Sequence, residues 1–172
     1  MADILYEEVP SLDLADFRGN DPDKKKKFVA ALGEAYNNIG FVAVRNHYLS
    51  EGLSNELYDV IKKFFSLQDT TKLKYEIPDL AGQRGYIGKG KEHAKGRNTG
   101  DLKEFYHVGQ TVIGDDPIKK EYPDNVWPDE LPEFKMIALE VYKQLERTGV
   151  QMLRAIALYL NLPENYFHFK TR

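Results

Sequence analysis

The sequence predicts an α+β fold in which helices pack on a few short strands. Three segments repeat apolar residues at three- and four-residue steps, which is the spacing of one buried helix face. Between them stand short runs of β-branched and aromatic residues, which suit strands of a few residues. With 172 residues and 42% hydrophobic content, the chain can bury a core, and its length corresponds to one domain or most of one.

The first third of the chain predicts strand, helix, strand and helix in that order. Residues 9–14 alternate apolar and polar side chains and suit a short, half-buried edge strand. Asp21 and Pro22 mark the start of a helix that Gly40 ends. Residues 41–44 are apolar and β-prone, which predicts a buried strand. The next helix has a predicted buried face of Leu53, Leu57, Val60, Ile61, Phe64 and Phe65.

The middle of the chain, residues 78–101, loses this periodicity. It mixes five glycines with lysine and arginine, which predicts a mobile basic loop. A structureless loop of this length is uncommon in a compact domain unless it has a function or binds something. Residues 102–109 then predict a strand with Leu102, Phe105 and Tyr106 as its anchors.

The last large element is a helix over about 132–161. Its apolar stripe consists of Phe134, Ile137, Ala138, Val141, Leu145, Met152, Ile156 and Leu160. At 1.5 Å per residue the helix would be roughly 45 Å long, more than the roughly 40 Å expected for a compact domain of this size. From this mismatch we expect that part of the protein's chain is missing. Pro163 and Glu164 predict one more short helix.

Composition and charge exclude several kinds of site. The net charge of -3 offers no general attraction to nucleic acid or to an anionic membrane, so we expect neither as a partner. The absence of cysteine excludes disulfides, thiolate metal sites and cysteine nucleophiles. The first ten residues lack the basic start and apolar run of a signal peptide, and no stretch is apolar enough to span a bilayer. We therefore expect a cytoplasmic protein.

The histidines do not form a recognisable metal site. His47, His93, His107 and His168 each stand alone, and none is followed by x-Asp or x-Glu. A two-histidine, one-carboxylate iron site usually leaves a His-x-Asp pair and a distant histidine in the sequence. We expect no metal ligand and no catalytic residue in this chain.

The basic loop holds the best candidates for binding a small molecule. Arg84 and Tyr86, with the nearby Lys103, can offer charge-assisted and hydroxyl hydrogen bonds to a carboxylate. A solvent-exposed loop with a tyrosine packed beneath it is the alternative, and the residues alone favour it.

A series of short motifs runs along the chain from Val9 to Phe167. They are Val9-Pro10-x-Leu12-Asp13-Leu14, Gly40-Phe41-Val42-x-Val44-x-Asn46-His47, Phe64-Phe65-x-Leu67 with Lys72 and Lys74, Gly85-Tyr86, Asp101-x-x-Glu104-Phe105, Asn125-x-Trp127-Pro128 and Ile156-Ala157-x-x-Leu160-x-Leu162. In this order they resemble the N-terminal domain of the isopenicillin N synthase-like family of non-haem iron(II)/2-oxoglutarate-dependent oxygenases. Tyr48 departs from the family's usual glycine, and Gln68 from its frequent proline.

The resemblance implies that residues 1–172 are the N-terminal domain of a jelly-roll oxygenase, built on a double-stranded β-helix whose catalytic half is missing. That half would begin after Arg172 and carry the His-x-Asp, the second histidine and the Arg-x-Ser for 2-oxoglutarate. Iron(II) and 2-oxoglutarate are therefore expected in the parent enzyme and not on this chain. The expected partners are a small-molecule substrate and the missing catalytic domain.

The resemblance also implies where substrate would lie. Tyr86 matches a loop position at which some members contact substrate, and Arg84 stands beside it. Glu104 and Phe105 fall in a strand that would line the same side, where a packing role fits equally well.

Two functions remain open. The first is the substrate-side part of an oxygenase that oxidises a small organic molecule, inactive as this fragment, and it predicts a large apolar face without a partner. The second is a stand-alone, non-catalytic binding or interaction module of the same architecture, which predicts a closed core and a polar exterior.

Overall fold

A computed structural model describes residues 8–91 and 100–168. Within these ranges the helices and strands follow one another as β1 Ser11–Asp13, α1 Leu14–Arg18, α2 Pro22–Asn38, β2 Ala43–Arg45, α3 Glu51–Phe65, α4 Asp69–Lys72, β3 Gly85–Ile87, β4 Phe105–His107 and α5 Pro132–Tyr159. The chain divides into two compact units. The described residues of Met1–Ser50 and Lys143–Arg172 form the first unit, and Glu51–Tyr142 form the second.

The first unit is built around a parallel pair of strands. Leu12 of β1 lies opposite Val44 of β2. Asp13 ends β1 and begins α1, because its carboxylate accepts a hydrogen bond of 2.8 Å from the Ala15 N–H, as an N-cap residue does. Asn46 donates to the same carboxylate at 2.7 Å. The buried core of this unit consists of Leu14, Phe17, Phe28, Leu32, Met152 and Ala155.

The strand predicted over 41–44 forms two residues later than predicted and is only partly buried. The strand lies at Ala43–Arg45, and the side chain of Phe41 is 55% exposed. Only Val44 of the strand is partly buried, because successive strand residues point to opposite faces and this pair of strands is packed on one face. Helix α1 was not predicted, since five residues are too few to show helical periodicity.

The second unit has an aromatic core centred on Phe64 of α3. The Phe64 ring lies 4.8 Å from the Tyr106 ring and 5.9 Å from the rings of Tyr86 and Phe134, with tilted or edge-to-face geometry. Val60, Tyr75 and Ala138 are buried in the same cluster. The predicted face of α3 is confirmed by the burial of Val60 and Phe64.

Strands β3 and β4 pair antiparallel, with Tyr86 opposite Tyr106 and Ile87 opposite Phe105. The prediction that residues 78–101 lack structure is therefore wrong for β3, all three residues of which are buried. The predicted anchor Leu102 is also wrong, because its side chain is 89% exposed and β4 begins three residues later.

Helix α5 ends at Tyr159, two residues before the predicted end. Asn161 adopts a positive φ of 56°, and its N–H donates to the Leu158 carbonyl. The Leu162 N–H donates to the Ala157 carbonyl at 2.8 Å, which completes a Schellman cap. The predicted short helix after Pro163 is a series of turns. None of the helices in the described ranges is long and apolar enough to cross a membrane.

Candidate functional site

A cavity of about 280 Å³ opens in the second unit, beside strand β3. The residues that line it include Glu76, Ile77, Arg84, Tyr86, Ile87 and Lys91. Two of the four substrate residues proposed from the sequence, Arg84 and Tyr86, thus share one cavity. Apolar and charged side chains both line it, as they do in small-molecule sites.

Gly85 places Tyr86 at this cavity. Its φ of +79° lies in the left-handed region, where a side chain is strained. A β-carbon at this position would also overlap the carbonyl oxygen of Tyr75. Only glycine at position 85 therefore lets the backbone of β3 approach Tyr75 this closely. That approach sets the direction of the Tyr86 side chain.

Tyr86 is 4% exposed, and its hydroxyl already has a partner. The hydroxyl donates a hydrogen bond of 2.6 Å to Oε2 of Glu104. Burial, together with the neighbouring Glu104 carboxylate, raises the pKa of the Tyr86 phenol to about 12. The phenol therefore stays protonated and acts as a hydrogen-bond donor.

Glu104 is held by a buried lysine. Lys72, which is 3% exposed, places its Nζ atom 2.8 Å from Oε2 of Glu104 and 3.0 Å from Oδ1 of Asp69. The hydrogen bond from Lys72, and then that from Tyr86, lower the pKa of the Glu104 carboxyl. The bond to Glu104 in turn raises the pKa of Lys72. Both groups are therefore charged at neutral pH.

Arg84 lines this cavity with a guanidinium that its neighbours hold in place. Its Nη1 donates to the carbonyl of Gln83 at 2.7 Å, and its guanidinium lies against Gly109. The buried Nε has no hydrogen-bond partner within the described ranges. A buried donor left without a partner costs about 1–3 kcal/mol, so the Arg84 side chain is held in this place at some cost in stability.

Lys89 and Lys91, in the described part of the adjoining loop, are paired with carboxylates. Lys91 lies 2.8 Å from Glu76, and Lys89 lies 3.8 Å from Oε1 of Glu104. Glu76 also accepts a hydrogen bond of 3.3 Å from the Gly88 N–H. These contacts tie residues 88–91 to the body of the second unit.

The remaining proposed residues lie farther from the cavity. Phe105 is opposite Ile87 in the sheet, and its ring lies 4.7 Å from the His107 ring. Lys103 lies 3.5 Å from Asp101, with its ammonium 5.2 Å from the Phe105 ring. Neither side chain is among those that line the cavity.

Sequence reasoning missed Glu76, Lys91 and the role of Lys72. Lys72 belongs to one of the family motifs, but the motif does not indicate that it is buried. Helix α4 has only four residues, so no periodic pattern marks its inward face. Glu76 precedes the segment that is predicted to lack structure.

The described residues do not provide an iron site. Within 8–91 and 100–168, no three histidine, aspartate or glutamate side chains converge as metal ligands. His107 instead places its Nδ1 2.7 Å from the Gly82 carbonyl oxygen. His93 lies outside the described residues.

Comparison with a protein family supports the resemblance. Residues 9–130 match the family whose description is "non-haem dioxygenase in morphine synthesis N-terminal". The match covers more than two thirds of the chain and includes every residue of the cavity described above.

Individual proteins give the same picture. The chain is 34% identical over 167 residues to proline hydroxylase buaE of Petromyces alliaceus, covering 93% of this chain and 50% of that protein. It is 30% identical over 165 residues to a 2-oxoglutarate-Fe(II) type oxidoreductase of Aspergillus fumigatus, covering 92% and 49%. The chain thus spans about half the length of the curated relatives it matches.

Solved structures share the fold. A 2OG-Fe(II) oxygenase family protein from Caulobacter crescentus superposes with a TM-score of 0.81 at 32% identity, over 93% of this chain and 51% of that one. A full-length Neurospora crassa protein, solved in complex with alpha-KG, superposes with a TM-score of 0.77 at 24% identity, over 95% and 51%. The α+β arrangement of helices on a few short strands is therefore that of one half of such proteins.

Proposed function

This chain belongs to the non-haem dioxygenase N-terminal family, and from that premise we propose that it is the substrate-side part of an iron(II)/2-oxoglutarate-dependent oxygenase that oxidises a small organic molecule. The observation that carries the proposal is the family match over residues 9–130. The half-length coverage of the relatives supports it, because it leaves room in the full protein for a catalytic domain.

We propose that iron(II) and 2-oxoglutarate bind to the half of the full protein that this chain does not span. The relatives named above include 2-oxoglutarate-Fe(II) oxygenases, whereas the described histidines and carboxylates do not converge as a metal site. The bound metal would supply the oxidising chemistry. A cytoplasmic location, and a single domain over 1–172, stay predictions.

The role proposed for this chain is to bind and orient substrate. Arg84 would donate from its guanidinium to a carboxylate or another acceptor on the substrate, since its side chain lines the cavity. Tyr86 would form a wall of the cavity, with its hydroxyl held by Glu104. Phe105, on the neighbouring strand, would support that wall through its pairing with Ile87.

The alternative is a stand-alone binding module without catalysis. A cleft in the first unit is lined by Tyr36, Ile156, Tyr159 and Leu160 and is almost wholly apolar. Tyr36, Tyr159 and Leu160 are each more than a third exposed. An unpartnered apolar face is what the oxygenase fragment predicts and what a closed module does not, so the oxygenase is the better supported function.

The experiment is to express the full-length protein, load it with iron(II) under anaerobic conditions and follow conversion of 2-oxoglutarate to succinate in oxygen. Candidate substrates would be small carboxylates, with L-proline among them because one relative carries the name proline hydroxylase. Consumption of 2-oxoglutarate that depends on iron would support the proposal. A full-length protein that binds neither iron nor 2-oxoglutarate would instead be the non-catalytic module.

The binding role is tested in the same protein by Arg84→Met and by Lys120→Met as a matched control. Lys120 belongs to a short 3₁₀ helix and does not line the cavity. Loss of Arg84 should raise the KM of the substrate roughly tenfold, by removal of a charge-assisted hydrogen bond. An unchanged KM would remove Arg84 from the site.

A further inference from the structure

The buried lysine beneath the cavity is unusual for its residue type. Lysine is almost never fully buried unless it is paired, because removing an ammonium from water is costly. Lys72 is 3% exposed, and both its partners are carboxylates. Asp69, the outer partner, is largely exposed, whereas Glu104 is mostly buried. Lys72 thus links the exposed carboxylate of Asp69, on α4, to the mostly buried carboxylate of Glu104.

The two oxygens of the Glu104 carboxylate have different partners. Oε2 of Glu104 accepts from the Lys72 ammonium at 2.8 Å and from the Tyr86 hydroxyl at 2.6 Å. Oε1 faces the ammonium of Lys89 at 3.8 Å. A carboxylate oxygen offers about two acceptor sites, so Oε2 is fully used. Rotation of this carboxylate would break several contacts together.

The Tyr86 side chain lies between this network and the cavity. Its ring lines the cavity, its hydroxyl is bonded to Glu104, and the Lys72 ammonium is 5.6 Å from its ring centroid. The orientation of the cavity wall therefore depends on a carboxylate, whose own orientation depends on a lysine that does not line the cavity. Among the hydrogen bonds of the described residues, only those of Glu104 connect Lys72 to Tyr86.

We propose that Lys72 is a positioning residue for the substrate-side cavity: its ammonium orients the Glu104 carboxylate, and that carboxylate orients the Tyr86 wall. The inference rests on the proposed function for its relevance to substrate, while the geometry it describes can be tested without turnover. This role goes beyond stability. Two apolar side chains of the same volume could replace the Lys72–Glu104 pair without loss of stability, but they could not orient the Tyr86 hydroxyl.

The test uses the full-length protein with 3-fluorotyrosine placed at position 86 and observed by fluorine NMR. Three variants are compared: Lys72→Met, the double variant Lys72→Met with Glu104→Gln, and Ala155→Gly. The double variant leaves no unpaired buried charge, so it should recover much of the lost thermal stability. Its side-chain amide oxygen at position 104 keeps an acceptor for the Tyr86 hydroxyl. Ala155 is buried in the core of the first unit and does not line the cavity, so Ala155→Gly lowers stability away from the network.

A positioning role predicts one sharp fluorine resonance in the wild type and in Ala155→Gly, and a broadened or doubled resonance in both variants of Lys72. Acetate serves as the carboxylate probe. The acetate concentration at half-saturation of the resonance shift should rise roughly tenfold in both Lys72 variants, including the stabilised double variant.

A merely structural role predicts a different pattern, in which the double variant recovers the wild-type resonance and acetate affinity together with stability. That result would overturn the proposal. If Lys72→Met alone does not fold, the double variant and Ala155→Gly still decide. Failure of the oxygenase proposal is separate, because it would appear as absence of iron-dependent 2-oxoglutarate consumption in the wild type, whatever the fluorine spectra show.

Discussion

The guanidinium of Arg84 lies against Gly109, in the space that a methyl group at position 109 would occupy. Gly109 is itself held by Asn125, whose side-chain amide exchanges two hydrogen bonds of 2.8 Å with the backbone N–H and carbonyl of that glycine. Asn125 belongs to the motif Asn125-x-Trp127-Pro128. The motif therefore supports, through one glycine, the arginine that we place at the substrate cavity.

Gly109→Ala should displace Arg84 while leaving the fold intact. The overlapping atoms are the far end of a flexible side chain, so the arginine can move and the change in unfolding free energy should stay within about 0.5 kcal/mol. Substrate KM should rise as it does for Arg84→Met. Gly149→Ala, in open space on α5, is the control and should leave KM unchanged. A normal KM for Gly109→Ala, with a normal melting temperature, would argue against a substrate role for Arg84.

Asn125→Ala should destabilise the second unit. The backbone N–H and carbonyl of Gly109 would both lose their partner, at a cost of about 1–3 kcal/mol. Asn125→Asp keeps the acceptor for the Gly109 N–H but turns a carboxylate oxygen toward the Gly109 carbonyl, so it should lose stability as well. Urea unfolding of both variants measures the difference. Equal stability of Asn125→Ala and the wild type would show that water replaces the amide at no cost.

Gly85→Ala should be the most damaging of the glycine substitutions. The positive φ costs an alanine about 1–2 kcal/mol, and the β-carbon would overlap the Tyr75 carbonyl, which belongs to the backbone and cannot turn aside. A loss of more than about 2 kcal/mol is expected, measured by the shift in the urea midpoint. Gly149→Ala, in a helix and without close neighbours, should instead be neutral or stabilising by up to about 1 kcal/mol. Similar midpoints for the two variants would contradict this account.

Alkaline pH should weaken the fold through Tyr86. The phenol has an ordinary pKa of 10.0, and burial raises it to about 12 in the folded protein. Below pH 10 both the folded and unfolded states hold the proton. Between pH 10 and 12 the unfolded state releases it and the folded state retains it, so stability falls as pH rises through this window.

Tyr86→Phe should therefore reduce the dependence of the urea midpoint on pH across this window. Some dependence should remain, because burial also raises the pKa of Tyr75 and Tyr106. Tyr58→Phe, at a residue that is 62% exposed, is the matched control and should behave as the wild type does. An unchanged slope in Tyr86→Phe would mean that the phenol is more accessible than its burial indicates.

The sequence by itself determined the elements that are long enough to repeat a pattern. Helices α2, α3 and α5 have 17, 15 and 28 residues, so their apolar faces recur over several turns and identify them. The order of short motifs was sufficient to place the chain in its oxygenase family. Tyr86 belongs to one of those motifs, and Arg84 was named as its neighbour in the basic loop.

Only the tertiary structure decided how the site is assembled. Strands β3 and β4 have three residues each and α4 has four, too few for a periodic signal. The network that joins them uses residues separated by 32 positions, for Lys72 and Glu104, and by 18 positions, for Tyr86 and Glu104. A lysine that is solvated in most chains is buried here because two carboxylates, brought to it by folding, offset the cost of removing its charge from water.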